Sequence, residues 1–593
     1  KDGSFFTPSF ITMFMCRETI VSTVLQKFKE VKGWECTTLI DLYNVLDRIS
    51  IQEANDIIDS IKICDPAVGS GHFLVSSLNE LIHIKAELGI LVDKEGRRLR
   101  GYNITIENDE LIITNDTGSI FKYNSTNKES QRVQEALFYE KQKLIENCFF
   151  GVDLNPNSVK ICQLRLWIEL LKHTYYIQGT DQLETLPNID INIKVGNSLI
   201  SRFELDEDIK PSLKKLGIKI SDYQKAVDTY RNAHDKNEKH DLEEYIQKLK
   251  KELKTEISQN DKEYKKYAKA NSELRTLTES SLFEHTSQEK KKIERLTKEV
   301  HNYLAKKEEI EHNVIYQNSF EWRFEFPEVL DDDGKFLGFD VVIGNPPYIQ
   351  IQKMKEYADI YKDMGFEVYE RTGDIYCLFY ELGRAILKPG YFLSYITSNK
   401  WMRAGYGQSM RRFILEKTNP VLLIDLGGYK VFEGATVDVN ILSFQNAKNQ
   451  GETISCKVNK TYNSRLDKLS DFVSKNKVDT HFDQDAINSF VILTDIERSI
   501  KQKIEAVGTP LKDWDINIYR GVLTGYNKAF IIDGKTKDKL IAEDPKSAEI
   551  IHPILRGRDI KRYGYEFADK WIIFTHNGTD REPRDAVNDY PST

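Results

Sequence analysis

The tetrapeptide Asn345-Pro346-Pro347-Tyr348 follows the apolar run Phe339-Asp340-Val341-Val342-Ile343-Gly344. The β-branched run closed by Gly reads as a buried strand. The two prolines make a stiff turn without backbone N–H donors, so its carbonyls are left to accept. The Asn345 side-chain oxygen and the Pro346 carbonyl are then two acceptors aimed at one point, an arrangement that suits an exocyclic –NH2 group. Tyr348 adds a flat ring on which a base can stack. Taken alone, the tetrapeptide leaves an ordinary Pro-rich turn open as the alternative.

A second set of residues suits a small ligand. Ile61-Lys62-Ile63-Cys64-Asp65 reads as a short strand that runs through Pro66-Ala67-Val68-Gly69-Ser70-Gly71 into a helix near Phe73. Gly69 and Gly71 let a backbone pass close to a ligand. The GxGxxG spacing of a pyrophosphate loop is missing, and the Asp65 carboxylate suits a cationic group better. The next strand, Cys148 to Asp153, ends in an acid followed by Leu154-Asn155-Pro156. A carboxylate there accepts from two vicinal ribose hydroxyls, or else caps the following helix. Ile191 to Leu199 reads as a third strand, and it carries Asn197 and Leu199.

These pieces resemble a known family. Asp65-Pro66-Ala67-Val68-Gly69-Ser70-Gly71-His72-Phe73-Leu74 resembles the S-adenosylmethionine loop of amino-methyltransferases, and Asn345 to Tyr348 resembles the catalytic motif of adenine-N6 DNA methyltransferases. Thr7-Pro8 resembles the family's N-terminal motif, which closes over the methionine end of the cofactor. The order of motifs resembles the gamma class. The resemblance implies an α/β, Rossmann-like methyltransferase core. It implies S-adenosyl-L-methionine held by Thr7, Asp65, Ala67, Gly69, Gly71, Asp153, Leu154, Asn197 and Leu199. Asn197 would meet the cofactor's adenine edge, although an acid is commoner there, and Leu199 would meet its face. The catalytic set would be Asn345, Pro346, Pro347 and Tyr348. Phe432 would be the second base platform, with a plain core phenylalanine as its alternative. The implied substrate is an adenine flipped out of double-stranded DNA, and no metal is needed.

Positioning these groups takes more than one domain. The 593 residues suggest two or three, and 40% hydrophobic with 30% charged residues describes a globular chain. No stretch approaches the ~18 apolar residues of a membrane span. Seven scattered cysteines without a CxxC pair suggest neither disulfides nor zinc and fit a reducing cytoplasm. A net charge of −8 leaves nucleic-acid binding to a locally basic surface. The expected layout is an N-terminal helical segment over 1–60 and a catalytic domain over 61–450. A Lys- and Glu-rich helical hairpin is inserted over 205–315, and a target-recognition domain covers 451–593. Leu242, Ile246, Leu249, Leu253 and Ile257 would make one arm of the hairpin and Ile293, Leu296, Val300 and Leu304 the other, with Ser280, Ser281 and His285 in the turn. Asp374 and Asn399 are read as caps or wall residues beside the site.

The stretches Tyr519 to Ile532 and Leu555 to Tyr563 interleave basic residues with glycines and aromatics. They resemble the specificity domain of TaqI-like and type IIG enzymes, cut short here. The chain lacks an initial Met and is expected to be part of a longer restriction-modification protein, with any nuclease domain or subunit outside it. The ExK triplet Glu30-Val31-Lys32 is too degenerate to count as one. A protein-glutamine or RNA amino-methyltransferase, or a catalytically dead DNA-specificity module, are the other readings.

Overall fold

Short runs of Val, Ile and Phe become strands wherever both faces can be covered. In the computed structural model, which describes residues 6–575 and 590 apart from 178, 234, 261, 280–285, 313–317, 433–436, 483, 518–520, 523 and 525, nine such runs form one sheet. They are β1 (Ile63–Asp65), β2 (Phe149–Asp153), β3 (Ile193–Val195), β4 (Phe339–Gly344), β5 (Leu387–Ser398), β6 (Asn419–Asp425), β7 (Val439–Gln445), β8 (Thr453–Lys457) and β9 (Val478–Thr480). Their order across the sheet is β9-β8-β6-β7-β5-β4-β1-β2-β3. The pairs β3-β2, β2-β1, β1-β4 and β4-β5 are parallel, and β7 lies antiparallel between β5 and β6. This is an α/β core with a doubly wound, Rossmann-like sheet, as the sequence leads one to expect. Alternate side chains feed two cores: Ile63, Phe149 and Val341 face one, and Cys64, Phe150 and Val342 the other.

The helices that matter for the site are α1 (Ser9–Lys32), α2 (His72–Glu87) and α3 (Pro156–Leu171). The N-terminal segment shares its core with the sheet, since Ile11, Met15 and Ile20 of α1 pack in the same cluster as Ile63 and Leu78. The inserted region is more than a hairpin. It holds α4 (Lys210–Leu216), α5 (Ile220–Asn232), α6 (Lys236–Asn260), α7 (Lys262–Glu279) and α8 (Ser287–His312). Pro211 in the first turn and Gly217 in a left-handed C-cap bound α4 before the charged series begins. Ile246, Leu249 and Leu253 of α6 are buried, Leu242 partly so, and the Ile257 side chain lies outside the described residues. Tyr267 of α7 stacks on Tyr303 of α8 at 4.5 Å, Leu296 is buried and Leu304 exposed. The turn residues Ser280, Ser281 and His285 also lie outside the described residues. Beyond the insertion, α9 (Glu356–Asp363) and α10 (Tyr376–Ile386) flank the turn that follows β4.

The expected boundary at 450/451 shifts, because β8 and β9 still belong to the sheet; the chain divides into Lys1–Ile500 and Lys501–Thr593. The second unit has a three-stranded antiparallel sheet of Ile531–Asp533, Lys570–Ile573 and Ile551–Pro553. Its small core includes Ile550, Ile551, Ile573 and Tyr590. Among the described residues no helix is long and apolar enough to cross a membrane.

The insertion is fastened to the catalytic core by charge. Glu325 accepts from Lys250 of α6 at 2.7 Å and lies 3.3 Å from Lys194 of β3 and 3.8 Å from Lys254. Burial works against the Glu325 carboxylate, but the three lysines outweigh it and hold it down at about 2. Burial and the Lys250 charge push Lys194 down to about 8. Glu325→Gln leaves these lysines facing one another, at an expected cost of about 3–5 kcal/mol. A carboxyl with a depressed folded pKa stabilises fully above the ordinary glutamate range and loses that contribution as pH falls toward its folded value. Thermal melts should therefore show a large deficit in the variant at neutral pH that shrinks below about pH 4. A deficit that does not change with pH would contradict the charge assignment.

Candidate active site

Parallel strands deliver their carboxyl ends to one edge, and a crevice opens there where successive connections run in opposite directions. That reversal lies between β1 and β4. Asp65 ends β1, Asp153 ends β2, and Asn345 follows β4. A cavity of about 700 Å³ occupies the edge. It gathers Thr7, Asp65, Ala67, Gly69, Asp153, Leu154, Asn197, Leu199, Asn345 and Pro347, residues spread over most of the catalytic unit. Gly71, Pro346, Tyr348 and Phe432 do not line it.

Asp65 is buried, and its Oδ1 accepts the Ala67 N–H at 3.0 Å. A Cβ on Gly344 would sit 2.5 Å from this Oδ1, so β4 can end beside the carboxyl only with a glycine. Burial, reinforced by the nearby Asp153 charge, pushes the Asp65 carboxyl up to about 8. Gly71 adopts φ +80°, and a Cβ there would lie 2.5 Å from Cys162 Sγ on α3, so its glycine serves the helix packing under the loop.

Asp153 Oδ2 accepts the Gly69 N–H at 2.9 Å and Oδ1 the Asn155 N–H at 2.7 Å. The cap of α3 is Asn155, whose side chain accepts from the Asn157 N–H, so Asp153 is not the helix cap. Burial raises its carboxyl. Each Asp153 oxygen holds one backbone N–H and keeps a second lone pair for a ligand hydroxyl. Asn197 Oδ1 accepts the Leu199 N–H at 3.1 Å, and its Nδ2 donates to the Tyr361 hydroxyl at 3.4 Å. The Ser198 hydroxyl donates to the Pro66 carbonyl at 2.5 Å and ties the third strand's turn to the loop after β1.

Asn345 Nδ2 donates to Thr7 Oγ1 at 3.0 Å, joining the N-terminal motif to the catalytic turn. The Tyr348 hydroxyl donates to the Ile396 carbonyl at 3.1 Å. Its ring lies 5.7 Å from Tyr376 at 74° and 6.4 Å from Phe432 at 65°, and Phe432 is only 4% exposed. The two expected base platforms are thus neighbours, set edge to face beside the cavity. Asp374 accepts from the Tyr406 hydroxyl and Asn399 donates to Asp425, and neither Asp374 nor Asn399 lines the cavity.

Ile349, Met354, Tyr357, Tyr361 and Phe379 are further wall residues that the sequence reading did not name. A signal existed. Met354, Tyr357 and Tyr361 recur at the three-four spacing of one helix face, directly after the catalytic turn.

The cavity thus gathers a wall of aromatic rings, the Asp153 carboxylate and the buried Asp65 carboxyl. The matching family is Eco57I restriction-modification methylase. Its profile covers residues 147–275 and 267–432, the stretch that holds Asp153, Asn197, Asn345 to Tyr348 and Phe432. A Methanocaldococcus jannaschii protein, provisionally named a type II restriction enzyme and methyltransferase, is 26% identical over 471 residues, 74% of this chain and 35% of its own length. The type II restriction enzyme and methyltransferase RM.Eco57I of Escherichia coli is 29% identical over 32% of this chain and 19% of its own. The type II methyltransferase M.BanIII of Aneurinibacillus aneurinilyticus is 35% identical over 18% of this chain and 19% of its own. The chain thus spans about a third of the first of these relatives and about a fifth of the other two.

The donor set fits S-adenosyl-L-methionine: Asp65 for an ammonium, Asp153 for ribose hydroxyls, and the Tyr357–Tyr361 wall for a purine. Burial raises the Asp65 carboxyl to about 8, so a ligand ammonium placed beside it would favour the carboxylate and binding would release a proton. Affinity for S-adenosylhomocysteine should rise as pH approaches that value, and titrations in buffers of different ionisation enthalpy should show up to about one proton released at pH 7. Asp65→Asn should abolish that release and weaken binding at least about tenfold. Equal proton release by the variant would remove Asp65 from this role.

Proposed function

We propose that this chain is the methyltransferase portion of a restriction-modification enzyme and that it methylates the N6 amino group of an adenine extruded from double-stranded DNA. One observation carries the reading. The turn Asn345 to Tyr348 leaves β4 beside Asp65, so the amine-binding turn and the ammonium-binding carboxyl share one edge, and Asn345 lines the same cavity as Asp65 and Asp153. The match to the Eco57I family across this turn supports it. By their names, two of the relatives join a restriction enzyme to a methyltransferase, and we assign this chain the methyltransferase share alone.

The cofactor is S-adenosyl-L-methionine, which supplies a methyl group already activated by its sulfonium charge. The protein's part is positioning and electrostatics. Adenine's amino lone pair is delocalised into the ring. Asn345 Oδ1 and the Pro346 carbonyl accept both amino hydrogens, which localises that lone pair on nitrogen. Asn345 is held for this by its bond to Thr7. Extrusion of the base costs a few kcal/mol, and stacking on Tyr348 and Phe432 returns about 1–3 kcal/mol per contact. The unit from Lys501 onward is assigned target recognition, in the manner of TaqI-like and type IIG specificity domains.

The direct test is transfer of labelled methyl to mixed DNA, followed by digestion to nucleosides, with the parent-length protein beside this chain. Label in N6-methyladenine is expected. Label confined to protein or RNA, or none at all with cofactor binding intact, would overturn the assignment. Asn345→Ala should reduce transfer at least about 10²–10³-fold while cofactor affinity stays close to wild type. Tyr348→Ala should blunt the rise in 2-aminopurine fluorescence at the target position without weakening cofactor binding. An equal rise in variant and wild type would remove the ring from base extrusion.

A further inference from the structure

A chain of net charge −8 needs its phosphate contacts concentrated somewhere. Between Leu555 and Tyr565 stand Arg556, Arg558, Lys561 and Arg562 with one acid, Asp559. The structure divides these charges between two tasks. Arg556 is committed internally: its backbone N–H and Nε donate to Asp559 Oδ2 at 2.8 and 2.9 Å, and Nη2 donates to Oδ1 at 2.9 Å. The Asp559 carbonyl in turn accepts the Glu566 N–H at 2.8 Å. This brace fixes the base of a small hairpin, Ile560–Lys561 paired with Gly564–Tyr565. Lys561 pairs with Glu566 at 3.0 Å.

The turn of that hairpin consists of Arg562 and Tyr563 alone. Tyr563 is 91% exposed, the highest value among the described large apolar side chains. The Arg562 guanidinium lies over its ring at 5.3 Å. Arg558 and Arg562 are exposed and make no ion pair among the described residues. A planar guanidinium matches phosphate geometry, and two of them beside an exposed ring on a rigid ribbon form a surface for a polyanion with flat, apolar parts. A two-stranded ribbon is also narrow enough to enter the major groove of B-DNA.

We propose that Arg558, Arg562 and Tyr563 form a duplex DNA contact, in which the two guanidiniums hold backbone phosphates and the Tyr563 ring packs within the groove. The proposal rests on the reading of this chain as a DNA methyltransferase and adds to it the element that meets the duplex. It also separates Arg556, which braces, from Arg558 and Arg562, which bind.

The test is fluorescence anisotropy of the full chain with a labelled mixed-sequence duplex across a salt series. Arg558→Ala and Arg562→Ala should each weaken binding about tenfold at low salt and reduce the log–log salt slope by about 0.9. Tyr563→Ala should weaken binding by a similar factor with the slope unchanged, and Tyr563→Phe should bind as wild type. All three alanine variants should melt as wild type, since the side chains are exposed, whereas Arg556→Ala should melt lower. Wild-type affinity and slope in Arg558→Ala, Arg562→Ala and Tyr563→Ala would overturn the hairpin contact and leave the methyltransferase reading standing if labelled N6-methyladenine still forms. A wild-type chain that neither binds duplex nor forms that product would overturn both.

Discussion

A single buried carboxylate holds the site's three main contributors in register. Asp340, near the start of β4, accepts from Lys27 Nζ of α1 at 3.1 Å with Oδ1 and from the Lys62 N–H, just before β1, at 2.8 Å with Oδ2. It therefore ties α1, β1 and β4 together at the ends away from the chemistry. The other ends of the same elements carry Thr7, Asp65 and Asn345. A charge buried this deeply is tolerated only with its partner and further donors in place, and removing one partner of such a pair costs about 3–5 kcal/mol. The pair lies across 313 residues of sequence, so it joins parts of the chain that only the tertiary fold brings together.

With the strands fixed in this way, the cavity follows from steric exclusion. Gly344 admits the Asp65 carboxyl beside β4, and Gly71 admits α3 under the loop after β1. The Gly69 N–H from that loop and the Asn155 N–H after β2 orient Asp153, and the Thr7 hydroxyl orients Asn345. Most of the cofactor half is thus set by backbone and by side chains with hydrogen-bond partners already in place. Asp65 is the exception, a buried carboxyl with no ion pair among the described residues.

Much of this was legible because the relevant signals are local. A strand that ends in Asp65 before a Gly-rich turn, an acid at the end of the next strand, and Asn-Pro-Pro-Tyr after a β-branched run each fit within about fifteen residues, and the sheet places them together as expected. The role of Asn155 as the cap of α3 was not legible, because Asp153 and Asn155 are both capable caps and only backbone geometry separates them. The limit of the catalytic unit was missed for a different reason. Whether Thr453–Lys457 pairs with β6 depends on a partner about thirty residues away, and composition does not encode that pairing. The inserted helices were read as one hairpin because the two apolar series begin at Leu242, beyond α4 and α5, which Gly217 separates.

On the proposed reading, the residues that meet the base are held differently from those that meet the cofactor. A base held between two rings needs two contacts of about 3.5–4 Å, so the rings must stand roughly 7 Å apart and parallel. Tyr348 and Phe432 stand 6.4 Å apart at 65°, with Phe432 almost fully buried against the core. The Tyr348 hydroxyl is bonded to the Ile396 carbonyl, which restrains that ring, whereas no such polar tether is possible for a phenylalanine. On the proposed reading, Phe432 is therefore the ring that turns when adenine enters. Its apolar contacts are exchanged for contact with the base rather than with water, so the cost of moving it is smaller than its burial suggests.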